Sequence, residues 1–281
     1  MESSKNSLDS YSGLMSVYTR EKADRFEKAI ESIFAQTVLP SEFILVEDGP
    51  LNSELISTIE NIEKEFSARK INFIKVCNKV NRGLGYSLNK GLNYANYDLV
   101  ARFDSDDINR ADRLELTLKE FKKDTQLAMV GGNIREFDPK DDAFSKIRKV
   151  PQEFENIRKN IAKTNPFNHM TVTFRKKDIQ NVGSYEDVPY FEDYYLWFKL
   201  IESKRRVINI DKVLVDVCVD NDFIFRRSGF QYLKKEIFFQ NLLYSHKYIN
   251  LAQYMRNILL RGGSRLLPKV LIKLIYSTIR E

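Results

Sequence analysis

The chain has 281 residues, 43% of them hydrophobic and 30% charged, with a formal net charge of +6. That length holds one large domain or a domain with an appendage, and the composition is that of a soluble globular protein. No apolar run reaches the roughly 18 residues of a spanning helix, and neither zinc-finger spacing nor an RNA-recognition signature accompanies the positive charge, which argues against nucleic acid as a partner.

Met1 to Ser12 is polar and lacks a signal-peptide core. Leu14–Tyr18 is the first predicted strand, and Phe26, Ala29, Ile30, Ile33 and Phe34 then recur at helical spacing. Pro40 breaks the chain before a second strand, Phe43–Val46, which ends at Glu47-Asp48-Gly49. Leu55, Ile56, Ile59, Ile62 and Phe66 mark a second helix, Ile71–Val76 a third strand, and Leu84, Leu88, Leu92 and Ala95 a third helix. Tyr97–Phe103 is a fourth strand, running into Asp104-Ser105-Asp106-Asp107, and an amphipathic helix follows from Arg110 to Lys123. This alternation predicts an α/β fold with a mostly parallel central sheet flanked by helices on both faces. No Gly-x-Gly-x-x-Gly or Walker sequence follows the first strand, which weakens dinucleotide and P-loop readings.

Beyond the strand Leu127–Asn133 the pattern loosens. A helix is predicted over Phe154–Lys163, a strand over Met170–Arg175, and a helix opening at Phe191-Glu192-Asp193 and running to Glu202. Val207–Ile210 and Val213–Val219 read as two late strands, and the chain past Phe230 reads as helical. The organisation expected is a main domain over 1–220 and a C-terminal helical extension over 221–281. Cys77 and Cys218 lie in strand-like apolar runs and read as buried reduced thiols, which fits a cytoplasmic protein. In the tail, Leu267, Val270, Leu271, Leu274, Ile275 and Thr278 share one helical face, opposite Lys269, Lys273, Tyr276 and Arg280. That pattern suits a basic amphipathic helix on an anionic membrane, or a core-packing helix with a solvated cationic face.

The chemistry starts from Asp104–Asp107. A carboxylate cluster at the C-terminal end of a strand lies where open α/β sheets bind ligands. Oxygen-only donors suit hard cations, Mg²⁺ or Mn²⁺, which share their coordination with substrate phosphates. For an isolated cluster of this kind the better reading is a solvated turn or a helix cap. A second acidic pair, Glu192-Asp193, tips the balance toward function.

Taken in order, Leu14–Tyr18, Ser32–Thr37, Val46–Gly49, Asn81–Leu84, Asp104–Asp107, Asn168-His169 and Glu192-Asp193 resemble the family 2 glycosyltransferases of GT-A fold. The resemblance is strongest to bacterial enzymes that build O-antigen, capsule and exopolysaccharide. One departure is Tyr18-Thr19-Arg20, where many relatives carry Tyr-Asn.

The resemblance implies an inverting, metal-dependent transfer of a hexose from a UDP-sugar to a lipid-linked oligosaccharide, at the cytoplasmic face of the inner membrane. It makes Asp106 a metal ligand, with Asp104 near the ribose or reaching the metal through water. Asp107 supports that shell or caps the following helix. Asp48 is placed to accept from the uracil, or to form the turn beside Gly49. Arg82 reaches the base or phosphates, or is solvated; Tyr18 meets the uracil or ribose, or simply packs. Arg226 and Arg227 fold over the diphosphate, or form a basic turn. Asp193 is the general base, with Glu192 as the alternate. His169 lies on the acceptor side or is structural. His246 is a surface residue, although some relatives close the metal shell with a late histidine. Two rivals remain open at this point: a sugar nucleotidyltransferase, and a non-catalytic assembly protein on a degenerate transferase scaffold.

Overall fold

The computed structural model describes residues 10–138, 141–219 and 229–263. Strands β1 (Tyr11–Val17), β2 (Glu42–Glu47), β3 (Asn72–Cys77) and β4 (Leu99–Phe103) pair in parallel in the order β3-β2-β1-β4. Helices α1 (Ala23–Phe34), α2 (Ser53–Ala68) and α3 (Leu84–Tyr94) make the three crossovers. The chain steps outward from β1 to β3 and then returns to place β4 on the other side of β1. The C-terminal ends of β1 and β4 therefore flank a topological switch point, where a crevice opens between diverging loops.

Side chains alternate along these strands as a two-faced sheet requires. Tyr11, Met15 and Val17 join a core with α1, α2 and α4 (Arg113–Lys123), whereas Leu14 faces a second core containing α3. That second core continues through α5 (Phe154–Asn160), α6 (Lys176–Asn181) and α7 (Glu192–Glu202).

The other half of the sheet is mixed: within the mostly parallel sheet expected, parallel pairing joins the first four strands and β6 (Leu127–Asp138) with β9 (Arg206–Cys218). The three-residue β8 (Thr173–Arg175) sits antiparallel between β4 and β6. β5 (Ile108–Asn109) pairs with β9, and β7 (Asp141–Arg148) with β6, both antiparallel. β5 and β8, of two and three residues, carry no readable period. The two late strands expected are one: Asp211 and Lys212 fall between Ile210, opposite Gly132, and Val213, opposite Asn133, as a bulge within β9. The strand expected from Met170 begins only at Thr173, because His169–Thr171 forms a 3-10 turn in which the Thr171 hydroxyl bonds Asn168 O at 2.7 Å.

The cysteines are free but not buried as expected. β3 is an edge strand whose alternate residues face solvent, which exposes Cys77, and Cys218 is half-buried.

After residue 229 come α8 (Phe230–Ser245), α9 (Leu251–Asn257) and a π-helical turn, Ile258–Gly262. They pack on α7: Phe239 stacks on Phe191 at 4.5 Å, and the buried Glu236 pairs with Arg261 at 2.8 Å. The amphipathic segment from Leu267 lies outside the described residues. Among those described, no helix is long and apolar enough to cross a membrane.

Candidate functional site

Past the end of β4, Asp104, Asp106 and Asp107 bring carboxylate oxygens within 4.8 Å of one another. Two buried arginines organise the strand end. Arg102 is ion-paired with Asp104, while Arg113 donates to the Arg102 carbonyl at 2.6 Å and lies over the Phe103 ring at 4.6 Å. Asp107 does not cap the next helix. α4 starts at Arg113 with Asp112 at its N-cap, and Asp107 instead lies buried with Oδ2 unpartnered.

Crowding and burial both oppose ionisation here. Burial, then the charges of Asp104 and Glu21, push the Asp106 carboxyl up to about 7. Asp107 is raised well above the usual carboxylate range by burial first and by Asp104 and Asp106 second. Glu21, before α1, accepts from the Ser105 hydroxyl at 2.9 Å, and burial raises it too. A cluster of hard oxygens with an unpartnered buried member and excess negative charge fits a divalent cation.

Asp48, at the end of β2, is buried and shapes the neighbouring loop. It accepts from the backbone N–H of Arg82 at 2.7 Å and of Gly83 at 2.9 Å, and from the Asn78 amide at 3.0 Å. A carboxylate has about four lone-pair sites, so these bonds leave it acceptor capacity toward a base. Gly49 is required beside it: its φ is +90°, and a Cβ there would stand 2.6 Å from Asn81 N. Arg82 is exposed, with its guanidinium 4.4 Å over the Tyr86 ring.

Both acids of the second pair sit in the first turn of α7. Asp193 accepts from the Asn165 amide at 2.8 Å. Glu192 has a buried, unpartnered Oε2, and burial, followed by the charge of Asp193, moves it up to about 7. The charge of Arg102 acts on Asp104 and Asp107 and also on Glu192. Glu192 also lines a cleft of about 440 Å³ between the start of α3 and the loop Tyr185–Tyr190.

His169 is buried, and its Nε2 lies 2.9 Å from the Tyr185 hydroxyl; its ring packs edge-on to Trp197. Burial and then Arg102 hold it well below its ordinary pKa, so it is neutral. His246 is exposed at the end of α8, stacked on Tyr248, apart from the carboxylate cluster's ligand set. Tyr18 is exposed just past β1. Arg226 and Arg227 lie outside the described residues.

Glu21, Arg102, Tyr185 and Tyr190 carried no assigned role in the sequence. Arg102 alone had a local signal, a charge within an otherwise apolar strand.

The family model for glycosyl transferase family 2 matches residues 12–182. The chain is 35% identical to the Escherichia coli UDP-Gal:alpha-D-GlcNAc-diphosphoundecaprenol beta-1,3-galactosyltransferase, over 96% of each chain. It is 31% identical to the amylovoran biosynthesis glycosyltransferase AmsE of Erwinia amylovora, over 96% of this chain and 99% of the other. A mannosyltransferase from Pyrobaculum calidifontis, solved with GDP-Man and Mn²⁺, superposes with a TM-score of 0.61 at 17% identity, covering 96% of this chain and 79% of that one. That structural likeness carries the GT-A fold, and the two sequence alignments carry descent: the chain belongs to glycosyl transferase family 2 and is a glycosyltransferase.

Proposed function

We propose that the protein is an inverting, divalent-metal-dependent hexosyltransferase. Its donor is a UDP-sugar and its acceptor a hydroxyl of a lipid-linked oligosaccharide in bacterial surface polysaccharide synthesis. The observation that carries this reading is the carboxylate cluster Asp104–Asp107 past β4, with its buried, unpartnered Asp107 oxygen, in a chain whose second acid pair, Glu192-Asp193, opens α7. One group suits the leaving diphosphate and the other the incoming hydroxyl. The family assignment removes the support for a nucleotidyltransferase or a non-catalytic scaffold.

Asp48 orients the uracil through its remaining lone pair, and Arg82, Tyr18 and Asp104 contact the base, phosphates or ribose. Arg226 and Arg227, outside the described residues, are assigned to the diphosphate by the same reading. Asp106 and Asp104 would hold Mn²⁺ or Mg²⁺, with Asp107 in support, and a cation bound there would supply Lewis-acid stabilisation of the leaving diphosphate.

Asp193 takes the proton from the acceptor hydroxyl as that oxygen attacks the anomeric carbon from the side opposite the diphosphate. The Asn165 amide fixes its carboxylate. Glu192, the alternate base, holds its own proton below about pH 7. The neutral His169 with Tyr185 forms a rigid wall on the acceptor side.

A peripheral site at the cytoplasmic face of the inner membrane suits such an acceptor. Leu251, Met255, Leu259 and Leu260 are all more than half exposed, and they run toward the basic C-terminal segment. An apolar stripe leading into cationic sequence suits an anionic bilayer surface.

The test is UDP release from a panel of UDP-hexoses, UDP-galactose first, with a synthetic N-acetylglucosaminyl-diphosphoryl lipid and other lipid-diphosphate glycans as acceptors. Acceptor-dependent release with Mn²⁺ or Mg²⁺, lost in chelator, is expected. No release with any pair, together with no metal-dependent UDP binding, would sink the reading.

A further inference from the structure

We infer that Tyr190 is a stacking platform for the acceptor's sugar ring. This rests on the transferase reading and names a subsite within it. The starting point is a backbone anomaly. Val188-Pro189-Tyr190-Phe191 closes a tight turn through Phe191 N–H to Val188 O at 2.8 Å, and Tyr190 has φ +71°. With proline second and a positive φ third, this is the type II pattern, in which the third position favours glycine or asparagine. A tyrosine there is strained, and such strain persists where the surroundings hold it and the side chain has a use.

The side chain is placed for use. Tyr190 lines the same cleft as Arg82, Tyr86, Tyr185 and Glu192, and it is 53% exposed. Its ring is braced from α8, edge-on to Tyr232 at 5.4 Å and beneath Lys235 Nζ at 3.8 Å. The loop behind it is clamped to α3. Asn89 donates to Tyr185 O at 2.6 Å and accepts from Tyr185 N–H at 2.9 Å. The ring is thus an aromatic surface braced at the wall of a cleft, which is how binding sites present apolar area at low ordering cost.

The neighbours of Tyr190 select the ligand: it stands two residues before Glu192, and both line the same cleft. Arg82 and the Asp48 loop mark the nucleotide end in the proposed reading, and an inverting displacement brings the acceptor from the opposite side. The loop Tyr185–Tyr190 leads directly into the acid pair at the start of α7, so the group stacked on Tyr190 is the sugar carrying the reacting hydroxyl. A pyranose fits, with its C–H face on the ring and its hydroxyls toward the acids.

Calorimetry on the full chain with UDP and Mg²⁺ tests this, using an N-acetylglucosaminyl-diphosphoryl alkyl ester and a panel of methyl hexosides and N-acetylhexosaminides. Tyr190→Gly is expected to weaken binding of the best probe at least tenfold, to leave UDP affinity unchanged, and to keep or raise the thermal midpoint. Tyr190→Phe should bind as the unaltered protein does. Unchanged probe affinity in Tyr190→Gly overturns the proposal. So does a lowered midpoint, which would make the ring a brace against Tyr232 and Lys235, and so does failure of every probe to bind the unaltered protein alongside UDP. Failure of the underlying transferase reading is separately visible, as absence of UDP binding by the unaltered protein.

Discussion

Arg102 is ion-paired with Asp104, two residues along the chain, and is almost wholly buried beneath the carboxylates it balances. Breaking a buried pair leaves a charge uncompensated, at a cost of about 3 kcal/mol or more. Arg102→Met should therefore unfold at lower temperature without metal. Mn²⁺ should restore more of the midpoint than it adds to the unaltered protein, because a bound cation supplies the missing charge and stabilises the fold by linkage. Thermal melts with and without Mn²⁺ check this; an equal loss in both would mean that Arg102 serves packing alone.

Asp106→Ala should keep the fold and lose the gain in UDP affinity that Mn²⁺ brings. Asp106 lies beside Asp104 and Asp107 in the one group of metal-suited carboxylates among the described residues. Titrating UDP calorimetrically with Mn²⁺ and then with chelator separates the two contributions. Unchanged Mn²⁺-dependent affinity would remove Asp106 from the ligand set.

Glu192 gives the molecule a pH-dependent stability of predictable sign. Its carboxyl is raised from an ordinary 4.5 to about 7, chiefly by burial and then by Asp193. Between those values the folded state holds a proton that the unfolded chain has released, so stability falls as pH rises from about 4.5 to about 7 and is then flat. At 1.36 kcal/mol per unit the penalty above pH 7 is about 3 kcal/mol. Glu192→Gln should raise the melting temperature at pH 8 and change it little at pH 4.5. A gain of equal size at both pH values would contradict this origin.

How far the sequence reached can be judged from particular segments. β1 to β4 and their crossover helices were legible because each buries one or both faces over several residues and leaves a period to read. β5 and β8 were not, because two or three residues have no period, and β7 reads Asp141-Asp142-Ala143-Phe144-Ser145-Lys146-Ile147-Arg148 with little alternation. The strand-end carboxylates were legible from position alone. The burial of Arg102 was not, since a lone arginine in a strand reads as a solvent-facing residue until the helices over both faces are known. Glu21 reaches the cluster only through the fold, from 83 positions before Asp104 in a loop with no motif of its own. The strain at Tyr190 left no signal in the sequence.

Membrane attachment should depend on the C-terminal helices as well as the tail. Leu259 and Leu260 are 74% and 63% exposed in the π-helical turn. Leu259→Gln with Leu260→Gln should reduce co-sedimentation with anionic vesicles, and removing residues 266–281 should reduce it further. Activity toward a soluble acceptor analogue should persist in the double variant. Equal sedimentation of all three proteins at low salt would rule out this surface.

The last expectation concerns the base. A sugar hydroxyl is a poor nucleophile until its proton is being removed, and a carboxylate can do this only if it is charged and held within reach. In the proposed reading Asp193 has this role: the Asn165 amide fixes its orientation at 2.8 Å, and the neighbouring Glu192, raised to about 7, is the acid of the pair that holds its proton into the neutral range. Asp193→Asn preserves size while removing basicity. It should bind UDP and metal as the unaltered protein does and transfer sugar roughly two to four orders of magnitude more slowly. Glu192→Gln keeps the neutral form that Glu192 already adopts below about pH 7, so its transfer rate should fall less and lose part of its pH dependence. Single-turnover rates of both variants between pH 5.5 and 8.5 give the comparison, with UDP affinity as the control for folding. If Asp193→Asn transfers at near the unaltered rate while Glu192→Gln is inactive, the roles exchange, and the acid lining the cleft is the base.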